Sequence, residues 1–154
     1  MKFNWISYSV EYKTIVDSWL DDAAKHFTSI DDSWDDYVQY WEENSDSDEG
    51  EFFWSKVITD NGIPFGVIAI GLCDEVFTIS EYIIDPQKRN MGYGSSALKE
   101  LLMESENILG RKITTASAVI YPANIASQKT FTKAGFKYQS MHPEGDAIYY
   151  TYTA

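Results

Sequence analysis

From Ile83 to Ser96 the chain reads Ile-Ile-Asp-Pro-Gln-Lys-Arg-Asn-Met-Gly-Tyr-Gly-Ser-Ser. A run with strand periodicity precedes this stretch and an apolar helical period follows it, so Arg89-x-x-Gly92-x-Gly94 stands at a strand-to-helix junction. Two glycines at a helix start let the backbone approach an anion with no Cβ in the way. The N–H groups of a first helical turn have no acceptor within the helix, and the helix dipole favours negative charge there. Lys88 and Arg89 add positive charge to an otherwise acidic chain. The chemistry this arrangement suits is holding a diphosphate. A Walker loop would need a lysine after its second glycine, where Ser95 and Ser96 stand instead. A dinucleotide fingerprint would close at position 97 with glycine or alanine, and Ala97 allows it, but that loop normally follows the first strand of a parallel sheet. The same glycines also suit a tight strand-to-helix turn that needs them for geometry alone.

The elements around this loop follow from periodicity. Residues 2 to 9 alternate as a short strand. Tyr12, Ile15, Val16, Trp19, Leu20, Ala23 and Phe27 then share one face of a helix. Asp31 or Asp32 offers an N-cap for a second helix with Trp34, Tyr37, Val38 and Trp41 on its apolar side. Glu42 to Gly50 reads as an acidic loop. From residue 51 the period becomes two, and Asp60-Asn61-Gly62 predicts a hairpin into a strand from Pro64 to Leu72. A second turn at Cys73-Asp74-Glu75 leads to a third strand, Val76 to Asp85, which completes an antiparallel meander. Beyond the glycine loop, Ala97, Leu98, Leu101, Leu102 and Leu109 give a helix its buried side, and Gly110 reads as its C′ residue. A strand at 112–120, a short helix at 124–134 closed by Gly135, and a strand pair at 136–141 and 147–152 finish the chain. The order βααβββαβαββ predicts a mixed α/β (α+β) fold.

Composition narrows the function classes. A length of 154 residues suits one domain. The 24 acidic and 12 basic residues give a net charge of −12. Residues 1–60 hold 15 acids and 4 bases, while residues 61–154 hold 9 acids and 8 bases. So acidic a chain does not bind nucleic acid through bulk charge, and it lacks the basic amphipathic stretch of a membrane-surface protein. Cys73 is the lone cysteine, and His26 and His142 lie far apart, which argues against a disulfide and against a metal centre. The longest apolar run, Ile63 to Leu72, is too short to span a bilayer. The opening residues carry no signal-peptide hydrophobic region, so a soluble, cytoplasmic protein is expected. The 5 Trp, 11 Tyr and 8 Phe read either as a core of large rings or as the lining of a substrate pocket.

The stretch from Ile83 to Gly94 resembles the pyrophosphate loop of the GNAT superfamily of acyl-CoA N-acyltransferases, Gln/Arg-x-x-Gly-x-Gly/Ala. A second element of that family is Asn-x-x-Ala/Ser, an aromatic four residues on, then Gly-Phe. It is matched by Asn124-Ile125-Ala126-Ser127, Phe131 and Gly135-Phe136. The resemblance covers about residues 63–140, and residues 1–60 match in element order alone. It implies a GNAT-like central mixed, mostly antiparallel twisted sheet of about seven strands with about four helices. It also implies a single N-acetyltransferase domain over residues 1–154, with acceptor-side helices in 1–60 and a CoA-binding core in 61–154. The implied cosubstrate is acetyl-CoA, with no metal. Backbone amides at Met91, Gly92, Gly94 and Ser95 would hold the CoA pyrophosphate, flanked by Arg89 and Asn90. Ile83 and Ile84 would pair their backbone with the pantetheine arm as an added strand. Asn124 and Ser127 would contact the far end of that arm, and Asn124 reads equally well as an N-cap on the Ser127 amide.

Transfer of an acetyl group to an amine first requires the ammonium, of pKa about 10.4, to lose a proton. Glu81 is the expected base. By period two it shares a strand face with Ile79 and Ile83, where desolvation would raise its pKa toward neutrality. An exposed strand carboxylate is the plainer reading, and a bulge in this strand would bring Ser80 or Tyr82 forward instead. The N–H of Ile83 or Ile84 would steady the oxyanion. Where the family usually carries a tyrosine acid this chain has Phe131, so Tyr121 or water would protonate the leaving thiolate. The expected function is therefore acetyl transfer to a primary amine by direct attack in a ternary complex. The alternative is a catalytically weak acyl-CoA-binding or sensing module. The acidic, tryptophan-rich first 60 residues suggest a cationic small molecule or a lysine-like amine as the acceptor. The partners expected are thus a small-molecule or peptide amine, with a homodimer allowed and neither nucleic acid nor membrane involved.

Overall fold

The computed structural model describes residues 2–154. The strands β1 (Asn4–Ser7), β2 (Phe52–Asp60), β3 (Ile63–Cys73), β4 (Val76–Ile84), β5 (Thr115–Ile120), β6 (Lys137–Met141) and β7 (Ile148–Thr153) form one seven-stranded sheet. Its order is β1-β2-β3-β4-β5-β7-β6. Every neighbouring pair is antiparallel except β4 with β5. Both hairpins of the meander turn through left-handed residues, Asn61 and Gly62 in the first and Asp74 and Glu75 in the second. Two consecutive positive φ values match the right-handed twist of the strands they join.

Helices cover the sheet on two sides. α4 (Tyr93–Met103), α5 (Ser105–Leu109) and α6 (Ile125–Ala134) enclose the larger core, which includes Ile68, Ile70, Leu98, Leu101 and Phe136. α1 (Lys13–Asp17), α2 (Asp22–Phe27) and α3 (Trp34–Asn44) belong with a second core that includes Val16, Trp19, Trp34, Val67 and Ile83. The four helical stretches expected from periodicity become six helices because two of them break. Asp21 is extended and its carboxylate accepts the Ala24 amide at 2.9 Å, so the chain starts a fresh helix there even though Val16, Trp19 and Leu20 stay buried. Glu104 leaves the helical region at φ −114° and divides α4 from α5. The cap of α3 is Ser33 rather than Asp31 or Asp32, its hydroxyl accepting the Asp35 amide at 3.2 Å. Gly110 and Gly135 close α5 and α6 in the left-handed conformation, as their positions suggest. Among the described residues no helix is long and apolar enough to cross a membrane.

The feature that matters most for the site is a bulge in β4. Ile70 pairs with Ile79 and Ala69 with Glu81, which leaves Ser80 as an extra residue. Phe77 and Ile79 therefore point into the larger core, while Ile83 points into the second one. Beyond this point β4 and β5 part company. Their parallel ladder consists of Phe77–Ala116, Thr78–Ser117 and Ile79–Ala118. Glu81 to Ile84 keep their ladder to β3, with none to β5.

Candidate active site

The gap between β4 and β5 opens into a cavity of about 440 Å³ walled by the sheet, α2, α6 and the loop into α4. Nearly all of the residues singled out by sequence meet here. Glu81, Ile83 and Ile84 line it from β4. Arg89, Asn90, Gly92, Gly94 and Ser95 line it from the loop and the first turn of α4. Tyr121, Asn124, Ser127 and Phe131 line it from the β5–α6 side. Met91 is the exception. Its side chain is exposed and does not line the cavity.

The two glycines of the loop serve different ends. Gly92 has φ +85°, and a Cβ there would meet nothing within 4 Å, so the space above the loop backbone is open. Gly94 has no such φ. A Cβ on it would lie 3.3 Å from Thr130 Cγ2 and 3.6 Å from Ile84 Cγ1, so glycine lets α4 seat against α6 and β4. The first intrahelical bond of α4 runs from the Ser96 amide to the Gly92 carbonyl at 3.0 Å, so the amides of Tyr93, Gly94 and Ser95 precede the ladder. That is the donor set an anion needs. Gly92→Ala is expected to cost about 1–2 kcal/mol in denaturant unfolding, the strain of holding an L-residue in the left-handed region. Gly50→Ala, on the exposed loop before β2 at φ +78°, is the matched control for strain without the site.

Arg89 is more constrained than the sequence suggests. Its Nη1 and Nη2 donate to Asp21 Oδ2 and Oδ1 at 2.7 and 3.3 Å, and its Nε donates to the Ile84 carbonyl at 3.1 Å. The guanidinium thus ties the cap of α2 to the end of β4, and its charge is matched. Burial alone would push the Asp21 carboxyl up. The Arg89 hydrogen bond, the Ala24 amide and the Arg89 charge together outweigh it and hold that carboxyl below its ordinary value.

Glu81 keeps company with Ile83 but not with Ile79, because the Ser80 bulge turns Ile79 to the opposite face. The period-two expectation was wrong on that neighbour. The carboxylate is nonetheless half-buried and accepts the Ser29 amide at 3.0 Å. Burial pushes its pKa up, and the hydrogen bonds from Ser29 offset only part of that rise. Tyr37 of α3 lies close enough to sense it. Burial first and the Glu81 charge second raise the Tyr37 hydroxyl above its ordinary value. The Tyr37 ring stands 6.4 Å from that of Trp41 and 6.3 Å from that of Phe53.

The three tyrosine-or-phenylalanine positions divide cleanly. The Tyr82 hydroxyl donates to the Gly94 carbonyl at 2.7 Å, and burial raises its pKa, so it fastens β4 to α4. Phe131 is buried, edge-on to Tyr82 at 6.3 Å and to Phe136 at 5.0 Å. Tyr121 is 45% exposed on the cavity wall, with its ring 6.4 Å from Phe27. Asn124 caps α6, its Oδ1 accepting the Ser127 amide at 3.2 Å.

Charge around the cavity is the reverse of the chain's average. Glu81 is its one carboxylate among the described residues, against Lys88, Arg89, Lys129 and Lys133. None of the acids of residues 1–60 lines it, and neither does any of Trp5, Trp19, Trp34 and Trp41. Trp19 and Trp34 are core, and Trp34 Nε1 donates to Ser55 Oγ at 2.9 Å. Trp5 Nε1 donates to Glu100 at 2.9 Å. Trp41 is exposed on α3. Lys129 and Lys133 went unnoticed in the sequence. The signal for them was their four-residue spacing on the helix that Asn124 opens.

The donor set at one end of the cavity fits a polyanion, and the carboxylate at the other fits a group that must lose a proton. Comparison with known proteins agrees. Residues 15–136 match the acetyltransferase (GNAT) family. No curated protein matches the sequence. The fold is similar to that of the aminoglycoside acetyltransferase AAC(6')-Ib solved with paromomycin and acetyl-CoA, with TM-score 0.72 and 17% identity, covering 99% of this chain and 94% of that one. It is similar to a variant of the spermidine N-acetyltransferase from Vibrio cholerae, with TM-score 0.71 and 10% identity over 98% and 93% of the two chains. It is also similar to the ribosomal-protein-S18-alanine N-acetyltransferase from Escherichia coli, with TM-score 0.64 and 16% identity over 99% and 94%. At these identities the likeness is one of fold. The family match runs from α1 through α6 and takes in both the glycine loop and the Asn124 helix. On that match the chain belongs to the acetyltransferase (GNAT) family.

Proposed function

We propose that the protein moves the acetyl group of acetyl-CoA to a primary amine on a cationic small molecule or a lysine-like side chain, by direct attack in a ternary complex. One observation carries this reading: a half-buried carboxylate, Glu81, shares a cavity with the helix-start amides of the glycine loop. When bound, acetyl-CoA supplies a thioester carbonyl and a leaving thiol of pKa near ~8.5. The amides between Met91 and Ser95 hold the pyrophosphate, with Asn90 beside them and Arg89 keeping α2 in place. Ile83 and Ile84 lie on the β4 segment that β5 leaves unpaired, and their backbone takes the pantetheine arm as a strand. Asn124 and Ser127 meet the arm near its thiol end. Glu81 removes the proton of the ammonium, and an N–H of Ile83 or Ile84 steadies the oxyanion. Tyr121, exposed on the cavity wall, or water returns a proton to the thiolate.

The acceptor approaches from the α3 side. Tyr37 adjoins Glu81, Trp41 presents an exposed ring beside it, and Glu42 and Glu43 follow on the same helix. Rings and carboxylates together favour a cation. This support differs from the sequence expectation, because none of the tryptophans or acids of residues 1–60 lines the cavity, and the support rests on Trp41, Glu42 and Glu43 of α3 alone. A thiol-release assay with acetyl-CoA and a panel of amines tests the reading. Cationic amines are expected to react and neutral or acidic ones to fail. Trp41→Ala is expected to raise KM for the amine by about 3- to 10-fold with little change in kcat, the worth of one cation–π contact. Turnover confined to neutral or acidic amines would remove the cationic acceptor. Phe131 favours a second reading, since it offers no proton where the family usually has one. CoA binding with no thiol release for any amine would make this chain an acyl-CoA-binding module.

A further inference from the structure

Ser80 and Glu81 are consecutive residues, and on a regular strand their side chains would point to opposite faces of the sheet. The bulge changes this. Ala69 of β3, which pairs with Glu81, belongs to the second core beneath α1–α3. Gly71 shares that face by period two, and a Cβ on it would lie 3.8 Å from Ser80 Oγ. Ser80 and Glu81 therefore both turn their side chains toward α3. Thr78, next along the same face, already has a partner, its Oγ1 lying 3.3 Å from Ser117 Oγ on β5. Ser80 is exposed and has no pairing position on β3.

Tyr37 completes the group from α3. Its ring is held by Trp34, Phe53 and Trp41, with centroids at 5.6, 6.3 and 6.4 Å. Its hydroxyl senses the Glu81 charge, and the side chains of Ser80 and Trp41 adjoin it. Burial and that charge keep the phenol protonated, so it presents a neutral oxygen. The carboxylate takes its hydrogen bond from Ser29 and not from Tyr37, so a donor placed between Glu81 and Tyr37 can reach both. One carboxylate and two hydroxyl oxygens supply three acceptors, and a primary ammonium carries three N–H donors. We propose that Tyr37 and Ser80 complete, with Glu81, a three-acceptor seat that selects a primary amine over a secondary one. The proposal rests on the acetyl-transfer reading above, with Glu81 as the base. Once Glu81 has taken a proton, the two hydroxyls still hold the two N–H groups of the neutral amine. An N-methylated amine has one donor fewer and sets a methyl group against a hydroxyl, a loss that a site built on hydrogen bonds penalises.

Thiol release from acetyl-CoA is measured with diaminobutane and its N,N′-dimethyl derivative, and with Nα-acetyl-lysine and its Nε-methyl derivative. The parent protein is expected to favour the primary member of whichever pair reacts by about tenfold in kcat/KM, the worth of one hydrogen bond to a charged group. Tyr37→Phe keeps the ring and its aromatic neighbours, and Ser80→Ala alters an exposed side chain, so both should fold as the parent does. Each should raise KM for the primary amine by about 3- to 10-fold with a smaller change in kcat, and the double variant should bring the ratio within a pair close to one. Ser80→Thr, which keeps a hydroxyl, should retain most of the preference. A general loss of packing would slow both members of a pair alike and leave their ratio where it was. Equal kcat/KM for the two members in the parent protein, or a preference that survives in the double variant, would overturn the seat. Thiol release with none of the four amines would instead overturn the cationic-acceptor reading on which the seat rests.

Discussion

Glu81→Gln is expected to lower kcat for thiol release by about 10²- to 10⁴-fold, the range a positioned general base supplies, while CoA affinity stays within about twofold. The substitution keeps the shape of the side chain and an oxygen for the Ser29 amide, which now lies 3.0 Å from the carboxylate. What it removes is the capacity to take a proton from an ammonium. The glycine-loop amides and the Gly94–Thr130 contact are untouched, so binding of the cosubstrate should persist. Equal kcat in the variant would take the base role away from Glu81 and leave the amine to deprotonate in solution.

The pH profile of the same pair sharpens the test. Burial raises the Glu81 pKa, so kcat of the parent protein should fall with a one-proton slope as pH drops through that raised value, above the ordinary ~4.3 of a glutamate. The Gln variant should lack this limb. Acid unfolding does not imitate it. The lowered Asp21 carboxyl contributes stability that is fully present above the ordinary carboxylate pKa and is lost as pH falls through its own lower value. Glu81 works in the opposite direction. In the unfolded chain it ionises first, so its raised pKa destabilises the fold increasingly from the ordinary value up to the raised one, and by a constant amount beyond. Glu81→Gln should therefore melt higher than the parent at pH 8 and equally at pH 3. The site keeps a carboxylate at some cost to the fold, as sites with reactive groups do.

Local signals made much of this architecture legible. The hairpin at Asn61-Gly62, the caps at Asn124 and Gly135 and the loop glycines each act within a few residues, and the structure has them where their types require. The same holds for the Asn124–Ser127 bond, which the N-cap pattern anticipates. The residues themselves did not place the β4 bulge, because Ile79, Glu81 and Ile83 alternate perfectly in sequence and nothing marks Ser80 as surplus; the bulge expected as an alternative is present, and it leaves Glu81 lining the cavity together with Ser80 and Tyr82. The break at Asp21 was masked by a continuous apolar face on which Trp19 and Leu20 stay buried. The Arg89–Asp21 pair joins residues 68 apart and arises only when α2 folds over β4. Lys129 and Lys133 drew no notice in the sequence, because only the splay of β4 from β5 gives their face of α6 a cavity.

Phe131→Ala is expected to destabilise the fold by about 3–5 kcal/mol, the range for removing a buried aromatic ring. That is a large share of the roughly 5–15 kcal/mol that holds a domain together, and it should lower Tm by about 6–20 °C for a chain of this size. The ring is 4% exposed and bridges α6 to the sheet through edge-on contacts with Phe136 and Tyr82. Its loss should reach the loop as well. Tyr82 is held on one side by Phe131 and on the other donates to the Gly94 carbonyl, so a Tyr82 ring freed to tilt weakens the anchor at the start of α4. CoA affinity measured well below the new Tm should fall by about tenfold, because the loop amides then spend binding energy on being ordered. Phe131→Leu, which refills most of the volume but not the edge contact, should recover most of the stability and less of the affinity. If both variants instead bind CoA as tightly as the parent protein, Phe131 is a packing residue alone. Loop order would then depend on the Gly94–Thr130 contact and the Arg89–Asp21 pair.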